Sequence, residues 1–288
     1  MQSWLLAIRP RTLPAAIAPV IVGSALAYHD SAFQPLAALA ALLAAVLLQI
    51  GANLANDVYD FRRGADANRV GPTRVTTAGL LSPRQVEVGM WVVFALAASF
   101  GLYLIALGGW PILFVGLVSV IAAIAYTGGP FPLGYNGLGD LFTFLFFGLI
   151  AVMGTYYVQA GEVTGPVFIA SLPMGALVTN ILVVNNVRDA DTDRAAGKRT
   201  LAVIFGRGAA RMEYDVLLGL AYLAPVVLMA GFGFGGWILL PLLSLPLAVR
   251  LTRALRALGG PALNHTLAGT AQLAVIYAAL FAAGAALN

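Results

Sequence analysis

The segment LAALAALLAAVLLQIGANLANDVYD, residues 36–60, decides how the rest of the chain is read. Its first 21 residues carry no charge, enough for a helix to cross a hydrocarbon core of about 30 Å. Asp57 and Asp60 then arrive together, with Asp66 soon after. Lipid offers no partners to backbone N–H and C=O groups, so a run of this length is helical. It is too long for a strand and shows no period-two alternation.

Runs of the same kind recur along the chain. The protein is 60% hydrophobic and 10% charged, with a mean hydropathy of +0.90. The expectation is an all-α polytopic membrane protein of nine transmembrane helices around a central cavity. The spans fall near 13–29, 36–57, 86–107, 110–127, 138–158, 166–187, 214–231, 236–252 and 266–286. No polar stretch between them is long enough for a soluble domain, so residues 1–288 read as one membrane-embedded domain. With no cysteine, disulfides, thiolate catalysis and Cys-based metal sites are excluded. His29 and His265 are too far apart in sequence to imply a His-rich metal centre.

The 16 basic residues fix the expected orientation. Arg9 and Arg11 precede the first span. Arg62, Arg63, Arg69, Arg74 and Arg84 lie between spans two and three. Arg188, Arg194, Lys198, Arg199, Arg207 and Arg211 lie between six and seven. Arg250, Arg253 and Arg256 lie between eight and nine. All fall on one side, which the positive-inside rule makes cytoplasmic, with the N-terminus inside and the C-terminus outside. The pI of about 9.6 therefore reflects topology and contact with anionic membrane lipid, not nucleic-acid binding. Arg9, Arg11 and the run ending Ser24-Ala25-Leu26-Ala27 imitate a cleaved signal peptide, but Pro14 and Pro19 are foreign to a signal core.

Six of the twelve acidic residues sit in two short clusters. The first is Asn56-Asp57-Val58-Tyr59-Asp60 with Asp66; the second is Asn185-Asn186-Val187-Arg188-Asp189-Ala190-Asp191-Thr192-Asp193. Asn56-x-Val58-x-Asp60 matches Asn185-x-Val187-x-Asp189, which points to a pseudo-repeat carrying Asp motifs at 56–66 and 185–193. On a helix, Asp57 and Asp60, and likewise Asp189 and Asp193, share a face about 5–6 Å apart. Like charges that close repel unless a cation lies between them. Mg²⁺ takes oxygen ligands, usually one or two carboxylates plus substrate phosphates. Asp57, Asp60, Asp66, Asp189 and Asp193 are the candidate metal-ligating and catalytic residues, sufficient for two or three Mg²⁺ ions. Arg69, Arg74, Lys198 and Arg199 are placed to neutralise a diphosphate. A solvated cap or salt-bridge partner is the reading for Asp191. Asn53, Asn56 and Asn185 are candidates for positioning substrate, with Tyr126 and Tyr135; helix–helix hydrogen bonding competes for Asn53 and an interfacial aromatic belt for the tyrosines. Arg188 is expected to pair with a neighbouring Asp, and Asp140 to cap span five.

These motifs resemble those of the UbiA-type intramembrane prenyltransferases. That family's first motif is N-D-x-x-D-x-x-x-D; here Gly64 stands at the third acidic position and Asp66 replaces it. The longer spacing is similar to the branch that prenylates 1,4-dihydroxy-2-naphthoate in menaquinone synthesis. So are Arg9-Pro10-Arg11-Thr12-Leu13-Pro14, Arg69-Val70-Gly71-Pro72-Thr73-Arg74, Tyr126-Thr127-Gly128-Gly129-Pro130, Gly134-Tyr135-Asn136-Gly137-Leu138-Gly139-Asp140 and Gly197-Lys198-Arg199-Thr200-Leu201. The resemblance implies a Mg²⁺-dependent transfer from an allylic polyprenyl diphosphate donor to an aromatic acceptor, at the cytoplasmic side of the cell membrane. 4-Hydroxybenzoate and homogentisate are alternative acceptors. A transporter is the alternative from another class, but its ionisable groups belong near the bilayer midplane. The D-G-x-x-A-R string of CDP-alcohol phosphotransferases does not occur.

Overall fold

The computed structural model describes residues 2–66 and 71–288. Every regular element among them is helical: α1 Gln2–Ile8, α2 Pro14–His29, α3 Pro35–Arg62, α4 Pro83–Gly108, α5 Trp110–Ala125, α6 Gly139–Ala160, α7 Gly165–Ala195, α8 Gly206–Phe232, α9 Gly236–Ala257 and α10 Gly260–Ala286. Proline opens α2, α3 and α4, where the missing N–H costs nothing and φ is preset for a helix. Ser82 and Gln85 form a reciprocal capping box at the start of α4. Gly161 and Gly233, both left-handed, end α6 and α8.

A helix occupies each of the nine expected stretches. Seven are long and apolar enough to span a bilayer, and α1 with α2, bent by 50°, makes an eighth as one broken span. α5 has 16 residues, or about 24 Å. Helices α3, α7 and α9 outrun their expected ends. α3 continues past Asp57 to Arg62 and α7 past Val187 to Ala195, so Asp57, Asp60, Asp189 and Asp193 ride on helices, while Asp66 lies in the turn beyond α3. α9 departs from expectation over Gly236–Ser244, which is 3₁₀-helical. Pro241 inside that turn cannot donate to an α-helical ladder.

α7 is the centre of the bundle. Its apolar window is 72% buried, against 22–44% for the other six long spans. The largest core cluster joins α2, α6, α7, α8 and α10 through Tyr156, Met174, Leu177, Tyr214, Tyr277 and Phe281. Gly148 and Gly175 let α6 and α7 touch: a Cβ on Gly148 would stand 2.5 Å from the Gly175 Cα. α6 is π-helical there, over Phe144–Ile150. Gly51 on α3 similarly receives the Phe94 ring of α4, so the small residues of span two serve helix packing. Leu36, Leu102, Phe114 and Ile121 are exposed, as side chains facing lipid are.

Two grooves open on the flanks. One of about 640 Å³ runs between α1, α3 and α4 past Trp4, Leu54 and Val92. The other, about 380 Å³, lies between α8 and α9 past Tyr222, Val249 and Arg253. Neither is lined by an acidic motif residue.

Candidate active site

The last turns of α3 present Asn53, Asp57 and Asp60, all buried. Burying carboxylates is costly unless each is paired and hydrogen-bonded. Asp57 accepts from the backbone N–H groups of Val75 and Thr76, each at 3.2 Å, and from the Thr76 hydroxyl. The Arg9 guanidinium stands 3.7 Å from its Oδ2. Asp60 accepts from Arg74 Nη2 at 2.9 Å and from the Tyr135 hydroxyl at 2.7 Å. Lys198 Nζ lies 3.3 Å from the same Oδ1. Arg74 also reaches Asp66, Nε to Oδ2 at 3.3 Å, so one guanidinium bridges two carboxylates of the first motif. Among the described residues no three His or acidic side chains converge on one point. The carboxylates converge on the protein's own cations instead.

The second motif is built differently. Arg188 grips Asp189 with two donors, Nε at 2.7 Å and Nη2 at 2.6 Å. Its Nη2 also donates to Asn185 Oδ1 at 2.7 Å, and Nη1 to Asn264 Oδ1 of α10 at 2.8 Å. Asp191 points outward and pairs with Arg207 at 2.9 Å. The Asp193 carbonyl accepts from the Lys198 backbone N–H at 2.8 Å. That turn, with left-handed Gly197, aims Lys198 across to Asp60 and joins the two motifs.

Loops cover the junction. The Tyr135 ring lies beneath Arg63 at 5.3 Å and Lys198 at 4.7 Å, two cation–π contacts. Its carbonyl accepts from the Arg199 backbone N–H at 2.9 Å. Burial pushes the Tyr135 phenol above its ordinary range, and the Asp60 carboxylate pushes it further. Tyr126, just beyond α5, is partly buried; its phenol is raised first by desolvation, then by Asp140, Asp60 and Asp193, carboxylates drawn from both halves of the site.

The expected residues therefore divide. Asp60, Asp66, Arg74, Tyr135 and Lys198 form one network, Asp57 is held separately by Arg9, Val75 and Thr76, and Asn185 and Asp189 share Arg188 in a third. Asn56 accepts from Thr127 at 3.0 Å. The Arg199 side chain is exposed. Arg69 lies outside the described residues. Asn53 donates to Ile8 O and Thr12 Oγ1, both at 2.9 Å, and so anchors the N-terminal segment. Asp140 is buried at the start of α6 and accepts from Asn186 at 3.3 Å. Thr76 and Asn264 carried no sequence signal, being isolated polar residues away from the motifs they serve; Arg63, inside the first motif, was read only as a topology charge.

A helical membrane protein whose two Asp-rich helix ends meet beneath loops bearing Arg and Lys is equipped to hold a metal-bound anion at the bilayer edge. The chain belongs to the UbiA prenyltransferase family, whose model matches residues 16–265, and is an enzyme of that class. It is similar to 1,4-dihydroxy-2-naphthoate octaprenyltransferase of Mycobacterium tuberculosis, 42% identical with 98% of this chain and 96% of that one covered. The Escherichia coli protein of the same name is 38% identical, covering 98% and 94%. The fold is that of a UbiA homolog from Aeropyrum pernix K1, with a TM-score of 0.75 and 16% identity over 93% of this chain and 96% of that one. A homolog from Archaeoglobus fulgidus bound to DMAPP and Mg²⁺ aligns with a TM-score of 0.68 and 17% identity, over 97% and 99%.

Proposed function

We propose that this enzyme transfers a polyprenyl group from an allylic polyprenyl diphosphate to 1,4-dihydroxy-2-naphthoate, releasing diphosphate and CO₂ and giving demethylmenaquinol. The observation that supports the reading is the Lys198–Asp60 contact, which ties the first acidic motif to the turn that follows the second. The acceptor follows the relatives' names. The allylic C–O bond breaks with its electron pair on diphosphate. The ring carbon bearing the carboxylate forms the new C–C bond, and loss of CO₂ returns an electron pair to the ring.

The residues fit Mg²⁺. Their donors are all carboxylate oxygens, and Arg74, lying between Asp60 and Asp66, already occupies a position that a cation satisfies. Asp57, Asp60, Asp66, Asp189 and Asp193 would hold two or three ions, which when bound supply charge neutralisation for the departing diphosphate. Arg69, Arg74, Lys198 and Arg199 neutralise the remaining phosphate charge. Asn53, Asn56, Asn185, Tyr126 and Tyr135 position the substrates, Asn53 by holding the Arg9 segment. The chain acts as one domain, residues 1–288, of two similarly oriented halves. It crosses the plasma membrane nine times around a central cavity, α5 included, with its N-terminus and active site cytoplasmic and its C-terminus outside.

The test offers purified protein in detergent Mg²⁺, a polyprenyl diphosphate, and either dihydroxynaphthoate or 4-hydroxybenzoate, with products identified by mass. A prenylated, decarboxylated naphthoquinol that disappears in Asp57→Ala and Asp189→Ala is the expected result. Product from 4-hydroxybenzoate alone overturns the acceptor, and turnover untouched by either substitution overturns the roles of these aspartates.

A further inference from the structure

Arg188 is 1% exposed, one of the most deeply buried cations in the protein. Its orientation does not rest on Asp189 alone. Asn264 holds Nη1 at 2.8 Å and Asn185 holds Nη2 at 2.7 Å, one from α10 and one from a turn earlier on α7. Those two amides fix the plane of the guanidinium. Its Nε–Nη2 edge remains as a two-pronged fork, the geometry that matches a carboxylate. In this structure Asp189 fills the fork, at 2.7 and 2.6 Å.

That arrangement conflicts with the role proposed for Asp189. A carboxylate held by two charge-assisted hydrogen bonds is poorly available to a metal-bound diphosphate. If Asp189 turns toward the diphosphate, a buried guanidinium loses its partner, and uncompensated buried charge is strongly destabilising. The exchange becomes favourable when a second carboxylate enters as the first leaves. The proposed acceptor carries one carboxylate, on the carbon that is attacked.

We propose that Arg188 is the receptor for the acceptor's carboxylate, vacated when Asp189 turns to the diphosphate site. The inference rests on the aromatic-acid reading above. It makes Arg188 the residue that distinguishes a carboxylated aromatic from a carboxyl-free one. It also makes donor-side loading and acceptor binding mutually reinforcing, since each relieves the other's competitor.

Calorimetry on the purified full chain tests this without turnover. The probes are 1-hydroxy-2-naphthoate and 1-naphthol, each titrated with and without Mg²⁺ and inorganic diphosphate. With both present, the wild type should prefer the carboxylated probe by about 10- to 100-fold, the range of a charge-assisted pair. Without them the preference should shrink, because Asp189 holds the fork. Arg188→Gln should bring the ratio near one, and Arg188→Lys, which keeps charge but loses the fork, should fall between. A ratio that survives Arg188→Gln, or that ignores Mg²⁺ and diphosphate, overturns the inference. If Arg188→Gln does not fold, Arg188→Lys and Asn264→Ala decide it: an unchanged ratio in both is equally fatal. Failure of the acceptor reading shows separately. A wild type that prenylates only 4-hydroxybenzoate, yet loses its preference for that acid over phenol in Arg188→Gln, refutes the naphthoate and keeps the fork.

Discussion

The ammonium of Lys198, which follows the second acidic motif, lies 3.3 Å from the Asp60 carboxylate of the first. The same ammonium also lies over the Tyr135 ring, 4.7 Å from the centroid. One side chain thus closes a junction between helices more than a hundred residues apart in sequence. Lys198→Met should keep the packing and lose the charge. The expected outcome is a donor KM raised about 10-fold or more, as one charge-assisted contact to phosphate is removed. Steady-state kinetics against donor concentration check this; an unchanged donor KM would remove Lys198 from the diphosphate site.

Tyr135→Phe separates a hydrogen bond from two cation–π contacts. The substitution deletes the donor to Asp60 at 2.7 Å and leaves the ring to Arg63 and Lys198. A loss of about 3- to 10-fold in kcat/KM is expected, the worth of one hydrogen bond. The sign of the pH dependence follows from the raised phenol. The protonated form is the one that donates, so its contribution is complete below the ordinary phenol value of about 10 and is lost only above the raised one. Wild type and Tyr135→Phe should therefore show pH–rate profiles of one shape between about pH 6 and 9. An alkaline limb that vanishes in the variant would contradict this.

Removing divalent metal gives a coarser check. Chelation should abolish turnover, and Mg²⁺ should restore it, because Asp57, Asp60, Asp66 and Asp189 would otherwise remain locked to Arg9, Arg74, Lys198 and Arg188. Turnover that persists in excess chelator would exclude a metal-assisted departure of diphosphate.

Much of this was legible in the residues alone. An uncharged run such as 36–56 has one outcome in lipid, because only a helix satisfies its backbone. Asp57 with Asp60, and Asp189 with Asp193, announce a charged site because so few charges exist in the chain. Some pairings were legible too, Arg188 with a neighbouring Asp and Asp191 as a salt-bridge partner, but those of the first motif were not. Nothing in the spacing says that Arg74 bridges Asp60 and Asp66, because that depends on how the segment after α3 folds back. Nor does it reveal Arg9, whose backbone is left-handed at φ 54° and whose position is set by hydrogen bonds from Asn53 across 41 and 45 residues. The 3₁₀ start of α9 was hidden because hydropathy does not distinguish one helix type from another.

Asn53 offers a test of that N-terminal anchor. Its amide satisfies the Ile8 carbonyl and the Thr12 hydroxyl, and Gln49 donates to its oxygen at 3.3 Å. Asn53→Ala removes the side-chain donor to the Ile8 carbonyl at a partly buried position, a cost of about 1–3 kcal/mol, while Thr12 keeps Gln49 and the Arg9 carbonyl. A lowered melting temperature in detergent is expected, with a weaker response of activity to Arg9→Ala than in wild type, since Arg9 has already lost its mooring. Full additivity of the two substitutions in activity would show that Asn53 does not position Arg9.

Two glycines of α6 give opposite expectations for one substitution. A Cβ on Gly148 would lie 2.5 Å from the Gly175 Cα and 3.1 Å from the Ser171 carbonyl, both backbone atoms that cannot rotate away. Gly148→Ala must push α6 off α7, and overpacking of this kind costs about 1–3 kcal/mol. Because α7 carries Asp189 and Arg188 further along the same rigid rod, activity should fall together with the melting temperature. A Cβ on Gly154 meets nothing within 4 Å. Gly154→Ala should be neutral, or stabilising by about 0.5–1 kcal/mol through helix propensity alone. Thermal unfolding of the two variants in the same detergent decides it: equal melting temperatures would mean that α6 and α7 are not in backbone contact at Gly148.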